Sequence, residues 1–447
     1  MLTLSPWVGI AMVLSVLIGL MGLLRLYRQK YQPHPEILRK LLHVGMGLVT
    51  LSFPWVFHET WPAWVLAVIS VLLLVATKVP NPLQQKLGGV VDGVSRTSFG
   101  DIYFPISVAL IFQFADCQPI LYCIPVLLLT LADAVAALIG IFYGHIHYAA
   151  VDGHKSAEGS IAFFTVAFLS THIPLLLFTD TGRAESLLLG ITIGILVMLI
   201  EAVAWRGLDN LMVPLGGYLL LKGYMAMDVQ TLALLLASTI GWVVFVFIIR
   251  KRSTLNDSAL LGAALVGYLT GSLGGWIWVI PPLTLYLGYT FLWPRNEQLQ
   301  TRPHDVHAVA AICVPGLLWL SLARTYGYWE LYYPYTTFYA VQLAFIGVAY
   351  YREVHNKMVD HLLTPICVGK SWLVVFLPFI LIKGLSLASL MYAVFALIVI
   401  TGATMILNVT IPRPENYSIE RYPWLKQTII GSVASVLCLL PLYFIKG

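Results

Sequence analysis

Pro119-Ile-Leu-Tyr-Cys-Ile-Pro-Val-Leu-Leu-Leu-Thr-Leu-Ala-Asp133-Ala-Val-Ala-Ala-Leu-Ile-Gly-Ile-Phe-Tyr143 is an apolar run with a single charged side chain, Asp133. It exceeds the roughly 20 apolar residues that a helix needs to cross a bilayer. Within lipid every backbone N–H and C=O must be satisfied internally, so such a run is expected to be helical. Similar stretches recur along the chain, from Pro6–Leu26 to Gln427–Phe444. Several are short, which gives roughly 14 to 16 spans. The fold expected is an all-α polytopic integral membrane protein.

Composition agrees. Of 447 residues 59% are hydrophobic and 11% charged, with a mean hydropathy of +0.85. A soluble domain carries about 25% charged residues, so this chain has too little charge to cover a surface facing water. The net charge of +5 is small, and its placement matters more than its size. Arg25, Arg28, Lys30, Arg39, Lys86, Arg96, Lys155, Arg206, Arg250 and Arg352 fall in alternate loops. The positive-inside rule puts those loops on the cytoplasmic, or stromal, face. The pattern reads as membrane topology and argues against nucleic-acid binding. The five cysteines form no metal-ligand or disulfide pattern. The apolar stretch Val8–Leu24 is expected to be a retained first helix. Arg250–Asp257 is taken as the boundary between two domains, 1–249 and 250–447.

Asp133 needs an explanation, because a carboxylate at the centre of a membrane helix costs about 2.5–3.5 kcal/mol. Asp133, Ala137, Gly140 and Gly144 recur on one helical face. The small residues let either a neighbouring backbone or a nucleotide approach closely, and the first of these would make Asp133 a buried structural group. Lys155-Ser156-Ala157-Glu158-Gly159-Ser160 follows as a helix start. Helix N-termini bind phosphate through free amides and the macrodipole, and Lys155 adds a point charge. Glu158 would repel a bare phosphate, so it suggests a bridging Mg²⁺, an ion that takes one or two carboxylates plus phosphate oxygens. Asp133 and Glu158 are then the candidate metal ligands.

Asp133-Ala-Val-Ala-Ala-Leu-Ile-Gly140 followed by Lys155-Ser-Ala-Glu-Gly-Ser160 resembles the CTP-binding signature of phytol and dolichol kinases, membrane enzymes related to phosphatidate cytidylyltransferases. Three further stretches resemble that family in order and spacing. They are Arg39-Lys40-Leu-Leu-His43, Arg96-Thr-Ser-Phe-Gly-Asp101-Ile-Tyr-Phe-Pro105, and Glu201 followed by Asp209-Asn210-Leu-Met-Val-Pro214. Asp101 stands where the family usually has Glu. The resemblance spans about Glu36 to Leu220. It implies phosphoryl transfer from CTP to an isoprenoid alcohol held in the bilayer. Arg39, Lys40, His43, Arg96, Gly140, Gly144, Ser156, Gly159, Ser160 and Asn210 would contact CTP. Asp133, Lys155, Glu158, Asp101 and Asp209 would be catalytic, with Glu201 completing the pocket and Asp101 or Asp209 taking the alcohol proton.

The second half carries fewer signals. Ser258–Gly267 with Gly274-Gly275-Trp276, and His304-Asp-Val-His307-Ala to Gly316, resemble segments of a family that includes phytyl-phosphate kinases. That family's Asp-Thr-Trp-Ala core is absent, and Gly369-Lys370-Ser371-Trp372 has no acidic neighbour in sequence. This half is expected to be degenerate or structural, with His304, His307, Asp360 and His361 as its noteworthy polar residues. Two other readings stay open for the whole chain. One is cytidylyl transfer onto a lipid phosphate such as phosphatidate. The other is a transporter or flippase, which a repeated pattern in both halves would favour.

Overall fold

The computed structural model describes residues 5–78, 99–151, 153–253, 255–293, 304–354, 360–411 and 424–446. It is helical apart from one short hairpin, and the chain divides into two compact units, Met1–Gly241 and Trp242–Gly447. Among the described residues nine helices are long and apolar enough to cross a membrane, with shorter apolar helices at Trp61–Ala76 and Gly100–Ala115. Every stretch read from the sequence as a span is helical, so the chain is an all-α polytopic membrane protein. Outward side chains such as Leu234 and Ile248 are apolar and exposed, as a lipid-facing surface requires.

The first unit opens with α1 (Pro6–Tyr31), α2 (Pro35–Leu51), α3 (Phe53–Val56), α4 (Trp61–Lys78) and α5 (Gly100–Ala115). The decisive run, Pro119–Tyr143, is one continuous rod in three parts: α6 (Pro119–Leu127), a π turn at Leu128–Ala132, and α7 (Asp133–Tyr143). Pro125 removes one donor from its helical ladder, and the turn that follows is wound wide. A π turn often marks a functional position. A hairpin of β1 (His147–Ala150) and β2 (Gly153–Ser156) comes next, then α8 (Ala157–Phe178), α9 (Arg183–Val203) and α10 (Asp209–Tyr224); α11 (Val229–Ile249) follows, and the division between the units falls within it.

Two contacts set the frame of this unit. Phe53, Phe112 and Tyr122 pack in a buried aromatic cluster, and the Tyr122 hydroxyl donates to the Thr50 carbonyl at 2.9 Å. The face of α2 bearing Lys40, His43 and Gly47 lies against the π turn. There Gly47 sits so close to Thr130 that an added Cβ would run into its side chain.

The second unit contains α12 (Asp257–Gly274), α13 (Trp276–Phe291), α14 (Val306–Tyr326), α15 (Tyr332–Val354), α16 (Asp360–Lys383), α17 (Leu387–Thr410), α18 (Trp424–Leu437) and α19 (Leu439–Lys446). Helix α15 is its axis. Tyr335, Phe338, Tyr339, Leu343 and Phe345 are fully buried, and α13, α14, α16, α17 and α18 pack around them.

Glycine substitutions test this packing. Gly19→Ala meets nothing within 4 Å and should leave thermal stability in detergent unchanged or raise it by about 0.5–1 kcal/mol, since Ala is the better helix former. Gly47→Ala is expected to lower stability by about 1–3 kcal/mol through overpacking against Thr130. Equal melting temperatures for the two variants would contradict the α2–π turn contact.

Candidate active site

The chemistry-bearing residues of the first unit gather where α2, the π turn, the hairpin and the α9–α10 turn meet. Proline at the first helical position starts α2, and the His34 side chain caps it by accepting from the Glu36 amide. One turn on, the Lys40 ammonium donates to Asp133 Oδ2 at 2.6 Å, with both side chains largely buried. His43 Nε2 lies 2.9 Å from the Leu129 carbonyl and 3.3 Å from Asp133 Oδ2, and its ring meets Phe104 edge-on at 5.0 Å. The π turn makes this possible, because widening the ladder turns the Leu129 carbonyl toward α2. Since that carbonyl can only accept, the Nε2 proton is committed to it.

Sequence spacing puts Arg39 and His43 on one face. The structure pairs Lys40 with Asp133 instead and turns Arg39 to Glu36, a buried carboxylate that the sequence analysis does not single out. Asp101, at the start of α5, lies within electrostatic reach of Arg39.

The stretch before α8 also differs from expectation. Lys155 does not open a helix; it lies in β2, paired with Tyr148 of β1. Its ammonium donates to Glu201 Oε1 at 2.7 Å and to the Glu201 carbonyl. Burial works against its charge, but Glu201 and Asp209 more than offset this, so the Lys155 pKa stands above the ordinary lysine value. The pair therefore contributes its full stability below the ordinary lysine range and loses it only as pH rises through the elevated value.

Ser156 caps α8 by accepting from the Gly159 amide at 3.1 Å, so that amide is already engaged. Ser160 bonds to the Tyr148 hydroxyl at 2.8 Å. Gly140, Gly144 and Gly159 form a tight seam. A Cβ on Gly144 would strike the Gly140 carbonyl and Ser156, and one on Gly159 would come within 3.0 Å of the Ala136 carbonyl. The close approach of neighbouring backbone that the sequence allows for these small residues is therefore present.

Asp133 and Glu158 are not brought together. Glu158 accepts from the Ile146 amide at 3.1 and 3.3 Å. Ile146 lies beyond the far end of α7, about 15 Å along the axis from Asp133. Among the described residues no group of three or more His, Cys, Asp or Glu is arranged to hold a metal ion. Glu36 and Asp209 are the carboxylates that share the field of Asp133, and Asp209 also feels Lys155, Lys40 and Glu201. A tight turn with left-handed Arg206 and Gly207 delivers Asp209 to this place. Beside it Asn210 is buried, with its Oδ1 unpartnered among the described residues. Arg96 lies outside the described residues.

The hairpin, Tyr148, Glu36 and the π turn are absent from the sequence-based expectations. Tyr148-Ala-Ala-Val151 followed by Asp152-Gly153 is a legible hairpin signal. The partner of Glu36 and the wide turn leave no such mark.

The Lys40–Asp133 pair predicts a stability signature. Asp133→Asn strands the buried Lys40 ammonium and should cost about 3–5 kcal/mol, the scale for removing one partner of a buried pair. The double change Lys40→Met with Asp133→Leu should recover most of that loss. Melting curves in detergent that show the single variant at wild-type stability would contradict the pairing.

No family model matches the chain, and no solved structure matches it. The chain is similar to a curated protein named phytol kinase from Synechocystis sp., with 27% identity over 223 residues, covering 49% of this chain and 92% of that relative.

Proposed function

We propose that the first unit is a CTP-dependent isoprenoid-alcohol kinase with phytol-type substrates. The observation that carries this reading is the pair of adjacent ion pairs, Lys40–Asp133 and Lys155–Glu201, within electrostatic reach of Asp209 in a membrane protein similar to a phytol kinase. The second unit, Trp242–Gly447, is shorter than the matched stretch, which favours the first unit as the region of similarity.

Phosphoryl transfer is mostly positioning plus charge neutralisation. Lys40 and Lys155 would shift part of their charge from Asp133 and Glu201 to phosphate oxygens, with Arg96 adding a third cation. The described cluster nonetheless holds Glu36, Asp101, Asp133, Glu201 and Asp209 against Arg39, Lys40 and Lys155. That excess of carboxylate would repel a nucleotide triphosphate, and a divalent cation answers it. Asp133 and Asp209 suit Mg²⁺, which binds one or two carboxylates together with substrate phosphates; Glu158, in the first turn of α8, is held by the Ile146 amide beyond the far end of α7 and sits too far from Asp133. When bound, the ion would neutralise charge on the transferring group. Asp209 or Asp101 would take the alcohol proton. The seam glycines would act by fixing the corner from which Lys155 projects. The basic loops favour the cytoplasmic or stromal face for this site.

The test is incubation of the purified chain with labelled CTP, Mg²⁺ and a panel of isoprenoid alcohols. Lipid monophosphate and CDP are expected, and Lys155→Met should lower turnover by orders of magnitude. A CDP-linked lipid with release of pyrophosphate would replace this reading with cytidylyl transfer.

A further inference from the structure

Among the described residues of the second unit, the Lys370 ammonium has no carboxylate to neutralise it. Lys370 lies about 15 Å along α16 from the first residue of that helix, inside a stretch long and apolar enough to span the membrane. A cation at such depth costs about 2.5–3.5 kcal/mol unless something offsets it. Among the described residues no carboxylate comes within ion-pair distance of Lys370. Its ammonium donates to the Tyr351 hydroxyl at 3.0 Å and lies over the Tyr351 ring, and a neutral hydroxyl leaves the charge in place.

A second orphan donor belongs to the same packing of α13, α15 and α16. The Trp293 indole is buried, and its Nε1 has no partner among the described residues. The ring packs on Gly347, one turn before Tyr351 on α15, and within ring contact of Tyr350. Gly347 also faces Cys367, one turn before Lys370 on α16. The indole N–H and the ammonium are donors only, so their natural complement is an anion.

The helix surface next to Lys370 is open. Gly369, next to Lys370, is exposed, and an added Cβ there would meet nothing within 4 Å. Ile366 and Leu373 flank that gap and are exposed apolar side chains of a lipid-facing surface.

We propose that Lys370, Tyr351 and Trp293 form a site for a phosphate oxyanion at the head of a membrane lipid, entering past Gly369. Phosphate fits better than carboxylate, because a phosphomonoester offers three acceptor oxygens and up to two negative charges to a set of donors. This site is independent of the kinase reading and uses none of its residues.

The full-length chain in phosphatidylcholine nanodiscs, with and without phosphatidate, tests the proposal by thermal shift. Phosphatidate should raise the melting temperature of the wild type. Lys370→Met should weaken its apparent affinity by about ten-fold or more, the scale of a lost charge-assisted hydrogen bond. Gly369→Leu fills open space without a clash and should reduce the shift in a protein that folds normally. Lys383→Met, on the same helix but over the Tyr332 ring, should keep the full shift. Inorganic phosphate added to pure phosphatidylcholine discs distinguishes the source: a Lys370-dependent shift with it alone would overturn the lipid assignment. A phosphatidate shift unchanged in Lys370→Met would overturn the site.

Discussion

The ion pair between Lys40 and Asp133 governs the arrangement of the first unit. Neither charge belongs in a bilayer alone, since each costs about 2.5–3.5 kcal/mol at helix centre. At 2.6 Å each removes much of the other's penalty. A buried pair seldom adds net stability over apolar residues of similar size, so its effect here is positional. It sets α2 against the π turn in one register. That register brings His43 to the Leu129 carbonyl and Gly47 to Thr130. A slip of one residue along α2 would separate all three contacts at once.

The second pair, Lys155–Glu201, repeats this logic with different elements. A hairpin strand supplies the amine and the last turn of α9 supplies the carboxylate. Asp209 lies in the field of both pairs. It enters through the turn at Arg206 and Gly207, whose left-handed backbone lets α10 begin close to the end of α9. Two lysines, each held by its own carboxylate and both near a third, form a polar centre that a membrane protein can bury during folding.

Much of this is legible in the sequence, for reasons that can be named. An isolated Asp in an apolar run is conspicuous because bilayers penalise it, so Asp133 stands out from residue order alone. Proline, glycine and apolar periodicity mark the helices. What escapes are choices between neighbours. Arg39 and Lys40 are adjacent, and spacing alone cannot decide which one faces Asp133; helix–helix packing decides for Lys40. Glu158 and Asp133 look like partners because both are acidic and near glycines. The hairpin between α7 and α8 directs Glu158 to the Ile146 amide instead. The Asp152-Gly153 turn signal is present in the sequence, but Lys155 and Glu158 draw attention to the charge of this loop and away from its strand-forming residues.

The glycines of the α7–α8 seam show how the position of a charge can depend on small residues elsewhere. Gly140 and Gly144 let Ser156 settle against α7, and Gly159 lets α8 approach the Ala136 carbonyl. Ser156 ends β2 and caps α8, so its position fixes the corner between strand and helix. Lys155 is the residue before that corner, and its route to Glu201 depends on where the corner lies. A methyl group added at Gly144 would press on backbone, which cannot yield as a flexible side chain can. The displacement would pass through Ser156 to the Lys155 ammonium and lengthen its bond to Glu201. The small residues thus place a charge, although the sequence pattern alone equally suits them to cradling a phosphate.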